Sequence, residues 1–141
     1  MSDPRADRPH LLGLHQYDLA EQLTQLRADA PIQAHGRDSL TLVRDSALTL
    51  ILTALSARSR LPEHRVPGPI TVLVLDGRVA FSTQGKRIEL GPHGLLTLPA
   101  GVLHEVDALE DSAILVSIAA PVVHADPTGL ESEHRQASLA E

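Results

Sequence analysis

Cysteine is absent from the 141 residues, and aromatics are nearly so: Tyr17 and Phe81 stand alone and there is no tryptophan. Without thiols there can be no disulfide staple, no thiolate metal ligand and no cysteine nucleophile. With so few rings, the core has to be built from Leu, Val, Ile and Ala. Basic residues are also scarce and scattered. Eleven Arg and the single Lys86 face 18 acidic residues for a net charge of -6, which leaves no basic footprint for a nucleic-acid partner. Long apolar runs are missing too. The stretches 47–55 and 113–123 are too short to span a bilayer, and the N-terminus carries prolines and acids where a secretory leader needs an apolar run. A soluble, cytoplasmic protein with no membrane partner is the expectation.

The length suits one domain with a real core. Residues 1–9 and about 125–141 are polar and aperiodic, and read as poorly ordered tails. Asp18, followed three positions on by Glu21, signals a helix start. Leu19, Ala20, Leu23 and Leu26 form its apolar stripe, and Asp29-Ala-Pro31 stops it. One short helix over about 18–28 is therefore expected within an N-terminal arm, 1–38. From Ser39 onward, short apolar runs alternate with turns: 40–44, 48–56, 70–75, 78–83, 86–90, 95–98, 103–108 and 113–119. Such spacing predicts an all-β sandwich or barrel over 39–120, with a tail at 121–141. The run 48–56 has both helical and alternating periodicity, and its threonines and β surroundings favour a strand. Asp76-Gly77 reads as a two-residue hairpin loop pairing Leu75 with Arg78, and Gln84-Gly85 as a weaker repeat of it, so a meander over 70–90 is expected.

Alternation assigns the faces. Ile70, Val72, Val74, Val79 and Phe81 share one, taken as the interior. Leu73 and Leu75 share the other, where the N-terminal segment or a second subunit would cover them. By the same parity His104 points inward with Val102 and Val106, and His64 inward with Val66, while Glu63, Arg65, Glu105 and Asp107 face out. An inward histidine is most simply a hydrogen-bonded neutral core residue. Two on separate strands make a site worth weighing against that.

These residues resemble a known family. Leu61-Pro-Glu-His-Arg-Val-Pro-Gly-Pro-Ile-Thr-Val-Leu-Val-Leu-Asp-Gly77 resembles the first cupin motif, and Gly94-Leu-Leu-Thr-Leu-Pro-Ala-Gly-Val-Leu-His104 the second, over about 39–120. The resemblance implies a double-stranded β-helix (jelly-roll) barrel, often dimeric, in which many members hold a divalent metal through three His and one Glu. His64 falls at the first ligand position and His104 at the last, whereas Val66 and Ile70 occupy the other two. Completing a site would take waters, His93, His35 or a residue from a partner chain, though Gly91-Pro-His-Gly94 reads as an exposed turn.

Three functions stay open. The first is a binding module whose pocket of His64, Val66, Ile70, Val72, Phe81 and His104 holds a small-molecule ligand. The second is an enzyme, either with a divalent metal on His64 and His104 or metal-free with one of them as acid/base. The third is a structural or regulatory homodimer. Arg58, Arg60 and Arg65 read as a basic edge near the pocket that could attract an anion. No Ser-His-Asp, phosphate-loop or paired-carboxylate spacing is present.

Overall fold

A computed structural model describes residues 13–119. Both expected tails, with His124 and His134, fall outside the described residues. Helix α1 spans Leu19–Ala28, and the Asp18 carboxylate caps it by accepting the Glu21 N–H at 3.2 Å. Pro31 does not end helical structure, as the sequence suggested. It sits in the first turn of a second short helix, α2 (Ala30–His35), where an N–H has no intrahelical partner to lose. Gly36 closes α2 at φ 78°, its N–H donating to Ile32 O.

Nine strands follow: β1 Arg37–Arg44, β2 Leu48–Leu55, β3 Arg60–His64, β4 Ile70–Asp76, β5 Val79–Thr83, β6 Lys86–Leu90, β7 Leu95–Leu98, β8 His104–Ala108 and β9 Ser112–Ala119. They form two antiparallel sheets, one ordered β1-β2-β9-β4-β7 and the other β3-β8-β5-β6, the two layers of an all-β jelly-roll. The ambiguous 48–56 segment is strand β2, whose two sides are both used. Thr53 and Leu55 are buried in line with the barrel interior, while Leu52 and Ala54 are buried beneath the helices.

The Asp76-Gly77 turn is not a hairpin. β4 pairs with β7 and β9, β5 pairs with β6 and β8, and the turn carries the chain from one sheet to the other. The reason is local: Gly77 has φ 80°, and a Cβ there would stand 2.2 Å from Asp111 O and 2.3 Å from Ser112 Oγ. The corner is wedged against the β8–β9 connection, and Ser112 Oγ receives the Arg78 N–H at 3.0 Å. The true two-residue hairpin is Gln84-Gly85, with φ 52° and 74° and Thr83 paired with Lys86. The meander is thus 79–90, not 70–90.

The face assignment survives because the inner faces of the two sheets look at each other. Ile70, Val72, Val74, Val79 and Phe81 are all at most 4% exposed within one core. A second core lies on the outside of the five-stranded sheet. There α1 and α2 contribute Leu23, Leu26 and Ile32 against Leu42, Leu52 and Ala113. This roof covers Leu75, as the N-terminal segment was expected to, and Arg27 pins its edge to Asp76 at 2.8 Å. Leu73 is half-buried and pairs with Leu95, which is 60% exposed.

Candidate functional site

The interior is sealed at one end and polar at the other. At the end near Gly77, Leu55, Val74, Val79 and Ile114 are 0–1% exposed. At the opposite end, Val66 and Val102 are half-buried and the two histidines meet.

A break in regular pairing brings them together. On the β3–β8 ladder Leu61 pairs with Val106, yet His64 pairs with His104, so β3 spends one residue more than its partner between these points. Without that bulge Glu63 would oppose His104. Pro62, which cannot donate to a ladder, lies in the irregular stretch. Leu61 and His64 therefore share the inner face although three positions apart, which strict alternation forbids. His64 does face inward, but from the rim: it is exposed, whereas His104 is 4% exposed.

The two rings repeat one local device. His64 Nδ1 lies 2.8 Å from the carbonyl of Pro62, and His104 Nδ1 lies 3.0 Å from that of Val102, each two residues upstream. A carbonyl oxygen only accepts, so each Nδ1 carries the hydrogen, and in the neutral ring Nε2 is a bare lone pair. The centroids are 4.2 Å apart and the planes cross at 61°, while Phe81 stacks on the other side of His104 at 5.3 Å and 11°. Burial holds the His104 pKa below the ordinary histidine value. The Val102 carbonyl works against this, and the nearby His64 ring adds a smaller push downward.

Among the described residues no buried side-chain nitrogen or oxygen lacks a hydrogen-bond partner. His104 Nε2 has no hydrogen bond among them, so it is not a sealed atom. The small part of this ring that meets the outside includes Nε2.

Of the six expected pocket residues, the structure brings His64, Val66 and His104 to the mouth. Ile70, Val72 and Phe81 stand behind them as close-packed core, 4%, 2% and 0% exposed. Two surface grooves adjoin the barrel. One of about 690 Å³ runs past Glu63, Arg65, Lys86, Arg87 and Glu105 and reaches Thr83 and Val102 beside the mouth. The other, about 500 Å³, lies by Leu48, Thr71, Thr97, Pro99 and Ala119. Neither is lined by His64 or His104. Of the expected basic edge, Arg60 Nε binds Asp107 at 2.7 Å, and Arg65 lines the first groove together with Val102. His35 ends α2, and His93 sits exposed at φ 71°.

A four-ligand metal centre does not fit these residues. Val66 and Ile70 offer no lone pairs, and among the described residues no three His, Asp or Glu side chains gather as a metal site. Sequence reading also missed Thr83, buried opposite His104, whose hydroxyl donates to Leu103 O at 2.8 Å and steadies the mouth strand. Its place at the end of β5, before the Gln84-Gly85 turn, was the available signal.

No family model matches the chain, and no curated protein matches it. Solved structures do. A cupin superfamily protein from Desulfitobacterium hafniense is 19% identical, with 60% of this chain and 77% of that one covered at a TM-score of 0.58. A cupin-2 domain containing protein from Shewanella frigidimarina is 12% identical, with 73% and 93% covered at 0.59. An RmlC-like cupin from Desulfovibrio desulfuricans is 23% identical, with 79% and 94% covered at 0.57. At such identities the likeness is one of fold, and it agrees with the two motifs and the jelly-roll sheets. By its fold, the chain is similar to these cupin structures.

Proposed function

We propose that this chain is a small-molecule-binding cupin that works without the family's metal, the polar end of its ligand held at the barrel mouth by His64 and His104. The observation that carries the reading is the repeated tie of Nδ1 to a carbonyl two residues back. It fixes two neighbouring rings in orientation and leaves both Nε2 atoms without a partner among the described residues. A ring serving only the core would have both nitrogens satisfied within it. Val66 and Val102 supply apolar rim, and Phe81 backs the buried ring, so the site offers a short polar contact over an oily floor.

Backbone amide shifts recorded while a fragment library is titrated into the protein test this. Hits should cluster at His64, Val66 and His104 and vanish in the His64→Ala/His104→Ala double variant. Hits confined to the two outer grooves, unchanged by that variant, would overturn it.

A further inference from the structure

We propose that the mouth selects its ligand by hydrogen-bond polarity: it takes a small neutral molecule that donates a hydroxyl hydrogen, and turns away ligands whose polar end can only accept. The inference rests on the reading above and adds the chemical class of the ligand.

Each Nδ1–H is committed to a backbone carbonyl, at 2.8 Å for His64 and 3.0 Å for His104. Each neutral ring then presents only an acceptor to the mouth. A ketone or ester oxygen brought to either Nε2 would set lone pair against lone pair. A carboxylate would do the same with a full charge. A hydroxyl instead gives its hydrogen to one Nε2, and its apolar body can rest on Val66 and Val102.

Recruiting an anion would require a proton on the rings or a cation beside them. His104 resists protonation, since burial and the adjacent His64 ring both act against the charged form. Arg60 is held by Asp107 at 2.7 Å, and Arg65, Lys86 and Arg87 share their groove with the carboxylates of Glu63 and Glu105. The net charge of -6 adds no attraction for an anion. Val66 and Ile70, where the cupin motifs would place two more metal ligands, complete a wall that offers neither donor nor charge.

Three probes of one shape isolate the effect: cyclohexanol donates and accepts, cyclohexanone only accepts, and cyclohexanecarboxylate accepts with a charge. Each is titrated at about pH 7.5, above the ordinary histidine range, into the full chain while the ring nitrogen resonances of His64 and His104 are followed. Cyclohexanol should shift the Nε2 signal of at least one of the two rings, with the ketone and carboxylate binding roughly tenfold more weakly or worse, the cost of an unpaired polar contact. His64→Ala, which leaves the His104 acceptor, should weaken cyclohexanol binding while keeping the order of the three probes and the fold's amide spectrum. Equal or tighter binding of the ketone or the carboxylate at the mouth would overturn the polarity rule and leave the mouth as a binding site. If none of the three perturbs either ring, the mouth itself is not a ligand site and the rule falls with it.

Discussion

The two ends of the barrel interior are lined by the same alternating strands and yet are opposite in character. Near Gly77 the inner side chains are mostly aliphatic and at most 4% exposed, and the buried hydroxyls are bonded, Ser112 to Arg78 and Glu110 and Thr53 to Ser39. Around His104 the wall changes to imidazole, threonine and half-buried valines, and a strand bulge replaces regular pairing. A barrel meant only to be stable could be closed at both ends in the first manner. The mouth gives up apolar burial to hold two oriented rings with free acceptors, which is the trade expected of a site rather than a core.

Substitutions at the two ends break or sharpen that contrast. Phe81→Ala, at the centre of the shared core, should cost about 3–5 kcal/mol of unfolding free energy by denaturant titration. Ile114→Ala at the sealed end should cost about 2–5 kcal/mol, whereas Val66→Ala at the mouth should cost about 1 kcal/mol or less, because its neighbours are partly solvated. Equal losses at these two positions would erase the distinction between the ends.

Acid should find the mouth first. The folded protein keeps His104 neutral to a lower pH than the unfolded chain does, so as pH falls the unfolded state takes up the proton first. The stability this ring contributes is complete above the unfolded-state pKa, near the ordinary histidine value, and is lost as pH falls through the depressed folded-state one. Melting temperature should therefore drop on acidification from about pH 7.5 to 5.5, and His104→Leu should flatten that part of the profile. A variant as acid-sensitive as wild type would place the titrating group elsewhere.

The smallest stability effect belongs to His64→Ala. This exposed ring contributes little packing, so unfolding free energy should change by no more than about 0.5 kcal/mol, while binding at the mouth weakens.

Much of this architecture could be read from residues alone. Alternation located eight of the strands and put Phe81 and His104 inside, because a half-buried strand writes its period directly into the sequence. Asp76-Gly77 misled because a turn signal fixes only the local reversal. Whether the flanking strands pair with each other is settled by their neighbours, and here β7 and β9 claim β4. The histidine pair was half legible. Parity brought His64 inward, yet it does not foresee that Leu61 also faces in, or that the bulge beyond it makes His64, not Glu63, the partner of His104. The backbone carbonyls that set the tautomers leave no trace in residue identity. Nor does composition reveal that Ile70, Val72 and Phe81 close up behind the rings.

His64 and His104, each tied through Nδ1 to a backbone carbonyl, present bare Nε2 acceptors at the mouth. Long-range proton–nitrogen correlation spectra of the imidazole rings, taken at about pH 7.5, read this directly. Both rings should appear as the neutral tautomer with hydrogen on Nδ1 and an unprotonated Nε2. Finding either ring with its hydrogen on Nε2, or His104 charged at that pH, would contradict it.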